Sequence, residues 1–128
     1  MKITISPASE APIYQQIYDQ VSAQIIKGEL AGGYCLPPIR TVAKELRISV
    51  ITVKKAWEEL ERDGFIDTVM GKGCFVAPMS ARALTDKRDQ MAAEKLKKDL
   101  KFYQKLGLSK VEVLELVEKY YNEGREDN

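Results

Sequence analysis

Histidine is absent from the 128 residues. That removes the commonest general base and metal ligand, and every His-dependent catalytic triad with it. Cysteine is scarce: Cys35 and Cys74 lie 39 positions apart and form no C-x-x-C pair, so zinc-ligand spacing is missing and no metal or other cofactor is expected. Both are expected as buried or half-buried thiols in a reducing compartment. No apolar run approaches the roughly 18 residues of a membrane span, and Met1-Lys2-Ile3-Thr4-Ile5 lacks a signal-peptide core. A cytoplasmic protein with no membrane partner is the expectation. An excess of one charge is also lacking: Lys+Arg number 20 against 19 Asp+Glu, with 9 against 9 over residues 1–78 and 11 against 10 over the rest. Net charge therefore does not announce a nucleic-acid partner, and such a case rests on where the charges sit. Repeats, low-complexity tracts and Ser/Gly linkers are missing.

What is present is ordinary globular composition, 45% hydrophobic and 30% charged, enough for one domain or a small domain plus an appendage. Residues 2–5 alternate polar and apolar, which predicts a short strand with Ile3 and Ile5 facing a core, broken at Ser6-Pro7. From Pro12 the period changes. Ile13, Ile17, Val21 and Ile25 recur every four residues, one face of a helix that Gly28 closes. After Leu36-Pro37-Pro38, the spacing of Val42, Ala43 and Leu46 predicts a short second helix over 39–46. Arg47-Ile48-Ser49 is only a turn's length, and Ser49 is a suitable N-cap for a third helix carrying Val53, Ala56, Trp57 and Leu60 inward. Residues 65–69 and 74–76 predict a hairpin around Met70-Gly71-Lys72-Gly73.

Beyond Pro78, Leu84, Met91, Leu96, Leu100, Tyr103 and Leu106 thread a long charged helix ending at Gly107. Ser109-Lys110-Val111-Glu112 is a capping box, and Leu114, Val117 and Tyr121 continue an apolar stripe toward Gly124. Residues 125–128 are expected to fray.

Three helices with a tight turn between the second and third, then a hairpin, make a winged helix-turn-helix, an α+β and mainly α fold. With Val53, Ala56, Trp57 and Leu60 turned inward, the start of the third helix presents Ser49, Val50, Ile51, Thr52, Lys54 and Lys55 outward. Two β-branched apolar residues beside hydroxyls and ammonium groups suit thymine methyls, base edges and phosphates in a major groove. The N–H groups of that helix start suit a phosphate. On the wing, Gly71-Lys72-Gly73 lets the backbone approach a sugar-phosphate rail with a cation at the tip. Taken singly, Lys54 and Lys55 are a solvated face and the wing tip is an ordinary hairpin; their conjunction carries the argument.

Pro12-Ile13-Tyr14-x-Gln16-Ile17, Gly28-Glu29-Leu30, Leu36-Pro37-x-x-Arg40-x-x-Ala43, Ser49-x-x-Thr52-Val53-x-x-Ala56, Leu60, Gly64 and Gly71-x-Gly73-x-Phe75-Val76 resemble the GntR family of bacterial transcription regulators, over about two-thirds of the chain. The resemblance implies a dimer on an inverted-repeat operator in double-stranded DNA, mostly as a repressor released by a small-molecule effector. It also implies DNA contacts from Arg40, from Ser49, Thr52 and Lys54, and from Gly71 and Lys72; Thr41, beside Arg40, is a further candidate DNA contact. Pro38 stands where the family usually has Ser, and Val50 where many members have Arg. A base-contacting guanidinium is thereby missing, so Arg40 is expected to carry more of the guanine reading and Val50 to favour an A·T-rich step.

The 50 residues after Pro78, read as two amphipathic helices, resemble the short YtrA subfamily. The resulting division is a DNA-binding domain over 1–78 and a helical dimerisation segment over 79–128, with Leu96, Leu100, Tyr103, Leu114, Val117 and Tyr121 at the interface. Physics allows this independently, because two lone helices cannot bury such stripes on so small a partner and a two-fold interface can. A second class stays open on residues alone: a winged-helix module for protein–protein contact without specific DNA binding. Arg40, Lys54, Lys55 and Lys72 favour the first. An enzyme ranks third, with no activated nucleophile or metal cluster.

Overall fold

The computed structural model describes residues 1–124, and the expected fraying of residues 125–128 lies outside them. Five helices and one hairpin follow in order: α1 (Ile13–Ile26), α2 (Ile39–Leu46), α3 (Val50–Arg62), β1 (Ile66–Val69), β2 (Gly73–Val76), α4 (Ala81–Lys105) and α5 (Lys110–Tyr120). Residues Met1–Asp86 form one compact unit and a second begins at Lys87.

In the first unit, α1 and α2 pack on α3, and α3 leads into β1. The core takes most of the set the apolar periods select: Ile17, Val21 and Ile25 from α1, Val42 and Ala43 from α2, Val53, Ala56, Trp57 and Leu60 from α3, while Ile13 is exposed at the start of α1 and Leu46 half-buried at the end of α2. Phe65, Ile66 and Val76 close it from the hairpin side. Tyr18 is buried too, its ring edge-on to Phe65 with centroids 6.2 Å apart, and its hydroxyl donates to Asp63 at the end of α3. Burial and that carboxylate push the Tyr18 phenol well above its ordinary range. Asp63 also accepts from exposed Arg62 at 3.3 Å.

Helices α1 to α4 end alike. At each end one N–H reaches back five residues and its predecessor three: Glu29 to Gln24 and Gly28 to Ile25 after α1, Ile48 to Ala43 and Arg47 to Lys44 after α2. Phe65 to Leu60 with Gly64 to Glu61 repeats the pattern after α3, and Leu108 to Tyr103 with Gly107 to Gln104 after α4. This Schellman arrangement needs a left-handed residue, supplied by Gly28, Gly64 and Gly107. After α2 it is Arg47, at φ 57° and ψ 46°.

The antiparallel hairpin pairs Ile66 with Val76 and Val69 with Gly73. A bridge from Cys35 to Phe75 adds a short third segment, reinforced by Leu36 N–H to Cys74 O at 2.9 Å and Val76 N–H to Tyr34 O at 2.8 Å. Cys35 is exposed rather than buried, because this edge segment turns its side chain outward; Cys74 is half-buried, and neither forms a disulfide.

The expected strand over residues 2–5 does not form. The segment is extended, with Ile3 and Ile5 half-buried, but its backbone pairs with side-chain amides of α1 instead of another strand. Gln16, Gln20 and Gln24 serve Ser6, Thr4 and Lys2 in turn, each amide oxygen accepting the backbone N–H (2.8, 2.8 and 3.2 Å) and each amide nitrogen donating to the same residue's carbonyl. Four residues of helix advance about 6 Å and two of extended chain about 6.6 Å, so the two periods nearly match.

In the second unit, Ser109 caps α5 with the expected box: Glu112 N–H donates to Ser109 Oγ at 3.2 Å, and Ser109 N–H to Glu112 Oε1 at 2.9 Å. Leu96, Leu106, Val111, Leu114, Val117 and Tyr121 are exposed within this chain.

Candidate nucleic-acid interface

The left-handed Arg47 turns the chain from α2 into α3 within three residues. Ser49 then caps α3, its Oγ accepting the Thr52 N–H at 3.1 Å and lying 2.7 Å from Thr52 Oγ1. The Thr52 amide is thus satisfied within the chain, and of the first N–H groups of α3 only those of Val50 and Ile51 stay available to an anion. The two hydroxyls share one proton between them and leave one O–H to donate outward. Thr52 itself is half-buried, deeper than the exposed Ser49, Val50 and Ile51 before it.

Because Val53, Ala56, Trp57 and Leu60 point into the core, the opposite face of α3 carries Ile51, Lys54, Lys55 and Glu58, the i, i+3, i+4, i+7 complement. Ile51 is 79% exposed and Val50 38%. The aliphatic surface left exposed at this capped helix start, most of it on Ile51, is of a kind that suits major-groove methyl groups. Glu58, one turn further on, repels phosphate and limits an acceptable contact to the first two turns.

Some cations are paired within the chain and others, Lys44 and Arg47 among them, form no ion pair among the described residues. Lys27 pairs with Glu29 at 3.1 Å, and Arg62 with Glu59 and Asp63. Arg40, Lys54, Lys55 and Lys72 make no ion pair among the described residues. Arg40 and Thr41 are exposed on the first turn of α2, and none of α1, α2 and α3 has an acid in its first turn. A guanidinium at the positive end of a helix dipole is locally unfavourable, and a bound phosphate relieves it. Lys55 is placed specifically: its Nζ lies 4.0 Å from the centroid of the Tyr14 ring on α1.

On the wing, Gly71 (φ 78°) and Gly73 (φ 117°) flank Lys72, whose N–H closes the turn on Val69 O at 2.9 Å. Both glycines adopt backbone that a side chain disfavours, which explains the Gly-Lys-Gly pattern. Lys72 is exposed. So is Met70, at 96%, an apolar wing-tip residue that the sequence reading did not single out. Its signal was its place between the two strands. Tyr14 was also missed, since only tertiary packing brings it beneath Lys55.

Among the described residues no cluster of three or more His, Cys, Asp or Glu could hold a metal ion, and no helix is long and apolar enough to cross a membrane. Of the expected interface residues in the second unit, Leu96, Leu114, Val117 and Tyr121 are exposed and Leu100 and Tyr103 half-buried. Phe102, Val111 and Leu116 add exposed apolar surface that the sequence reading left out.

Residues 13–76 match the family model for bacterial regulatory proteins, gntR family. The chain is 37% identical over 95 residues to the HTH-type transcriptional repressor YtrA of Bacillus subtilis (strain 168), covering 74% of this chain and 73% of that protein. The crystal structure of a transcriptional antiterminator from Listeria monocytogenes EGD-e superposes with a TM-score of 0.69 at 34% identity, covering 94% of this chain and 90% of that one. The crystal structure of AraR(DBD) in complex with operator ORX1 covers 59% of this chain and 93% of its own, at 28% identity and a TM-score of 0.52.

Proposed function

The chain belongs to the GntR family of bacterial regulatory proteins, and from that premise we propose that it is a sequence-specific transcription regulator that represses by binding an inverted-repeat operator as a homodimer. The observation that carries this reading is the outward face of the first two turns of α3. There Val50, Ile51, Lys54 and Lys55 are exposed together, and Arg40 on α2 and Lys72 on the wing are exposed cations without an ion pair among the described residues. Similarity to a named repressor and to a domain crystallised on its operator supports the same assignment.

In this reading α3 lies in the major groove with its N-terminal turns toward the bases, and α2 crosses the backbone. Ile51 and Val50 meet thymine methyls, and the Ser49–Thr52 hydroxyl pair donates one O–H to a base edge or phosphate. Lys54 and Lys55 neutralise phosphates, and the Gly71-Lys72-Gly73 tip lies on the adjacent backbone or minor groove. Arg40 with Thr41 reaches a guanine edge or a phosphate. Residues 1–78 serve as the DNA-binding part and 79–128 as the dimerisation segment, pairing through Leu96, Leu100, Tyr103, Leu114, Val117 and Tyr121. Release by a small-molecule effector completes the regulator, in the cytoplasm of a bacterium.

The test is a specificity profile for single variants at fixed salt. Lys72→Ala should weaken binding alike on all sequences and lower the log-salt slope by about one per protomer. If Arg40 reads guanine, Arg40→Ala should cost roughly 1–3 kcal/mol and relax preference at one symmetric pair of positions. Ile51→Ala and Thr52→Ala should relax preference more weakly. Lys72→Ala changing base preference while Arg40→Ala, Ile51→Ala and Thr52→Ala leave every preference intact would move the reading from α3 to the wing.

A further inference from the structure

We infer that Tyr14 is a positioning residue for DNA binding: its ring holds the Lys55 ammonium in place for an operator phosphate. This rests on the regulator reading above and extends the interface to α1, an element outside the helix-turn-helix and the wing.

Lys54 and Lys55 are sequence neighbours on one exposed face, yet they differ in what surrounds them. The Lys55 Nζ sits over the face of Tyr14, 4.0 Å from its centroid, while Lys54 makes no ion pair or ring contact among the described residues. Tyr14 is half-buried in the first turn of α1, the helix packed along α3, so the ring is a fixed platform rather than a second mobile side chain. A lysine stem has four rotatable methylenes and loses that freedom when its head is pinned by a ligand. A ring that holds the head beforehand removes part of that cost from the binding step.

The choice of partner matters as much as the contact. A carboxylate would neutralise Lys55 and compete with phosphate for the same protons. A ring face attracts the cation through its quadrupole and leaves the charge and its N–H donors available. Of the carboxylates on neighbouring turns, Asp19 accepts from Gln15 at 2.8 Å and Glu59 pairs with Arg62 at 3.6 Å, while exposed Glu58 forms no ion pair with Lys55. Lys55 therefore has a ring rather than a carboxylate as its partner, at a defined place between α3 and the start of α1.

The experiment measures binding of the full-length chain to a duplex carrying its selected operator, with affinity followed against salt. Lys55→Gln should lower the slope of log affinity against log salt by about 0.9 per protomer, the value of one phosphate contact. Tyr14→Leu should lose at least half of that slope although it removes no charge. Tyr14→Phe, which keeps the ring face, should retain the wild-type slope. The double variant should be no weaker than Lys55→Gln alone, since both changes remove one contact. Tyr14→Met serves with the same expectations if Tyr14→Leu fails to fold by thermal melt.

A wild-type slope in Tyr14→Leu, a loss in Tyr14→Phe equal to that in Tyr14→Leu, or additive losses in the double variant would each overturn the inference while leaving the regulator reading intact. A wild-type chain with no sequence-specific, salt-dependent binding would overturn both.

Discussion

Replacing Arg47 by glycine should stabilise the protein. Four helices close with the same hydrogen-bond pattern, and three place glycine at the left-handed position, with φ of 80°, 80° and 85°. The fourth holds Arg47 at φ 57° in the turn that aims α3. An L-residue in that region costs about 1–2 kcal/mol from the approach of Cβ to the carbonyl. Glycine avoids that cost but orders a freer unfolded chain, a penalty of roughly 0.5–1 kcal/mol. The Arg47 side chain is exposed and makes no ion pair among the described residues, so its removal subtracts nothing further. The net gain for Arg47→Gly is between about 0 and 1.5 kcal/mol, centred near 0.75. Arg47→Ala, which keeps the strain, should be neutral, and Arg47→Val should lose about 1 kcal/mol as branching at Cβ worsens the clash. Urea unfolding at fixed protein concentration reads this as a shift in midpoint at constant m. A glycine variant no more stable than the alanine variant would refute the reasoning, because strain at Arg47 would then be absent.

Tyr18→Phe should cost about 1–2 kcal/mol at pH 7, the lower range for a bond to a charged group, because Asp63 keeps Arg62. The folded phenol has a raised pKa, so its contribution is present below pH ~10, where the unfolded tyrosine is still protonated, and is lost as pH rises beyond that. Wild type and variant should converge in alkaline urea titrations, and a constant gap from pH 8 to 11 would contradict this. Gln16→Ala should cost about 1–2 kcal/mol, since the buried amide serves Ser6 N–H, Ser6 O and Ala11 O, and hydrogen exchange should show the N-terminal segment released. Leu114→Glu with Val117→Glu should give a folded monomer in sedimentation, and a dimer surviving both would move the interface off α5.

The helices were legible because their inward faces repeat at helical spacing and their ends carry local signals. Ser49 and the Ser109–Glu112 box fix two starts, and glycines fix three ends. The outward face of α3 followed by subtraction once Val53, Ala56, Trp57 and Leu60 were assigned to the core. Alternation at residues 2–5 predicted a strand that does not form, although Ile3 and Ile5 are half-buried. It could not reveal that the partners are glutamine amides on α1 rather than a strand. Phe65 looked like the first strand residue but is the apolar residue that closes the α3 end, its N–H on Leu60 O. Cys35 was misplaced because the bridge to Phe75 that turns it outward links distant segments. The left-handed Arg47, the shared proton of Ser49 and Thr52, and Tyr14 under Lys55 depend on backbone geometry or tertiary contact that no local pattern encodes.

Sequence reading by α3 of a dimer is open to a single decisive experiment. Selection of bound duplexes from a random pool by the full-length chain, repeated with Lys54→Ala and Ile51→Ala, tests it most directly. The expected outcome is an enriched inverted repeat whose half-sites are identical, weakened without change of sequence by Lys54→Ala and relaxed at an A·T position by Ile51→Ala. A pool that stays random after repeated rounds, at a salt concentration low enough for nonspecific binding to be seen, would contradict it.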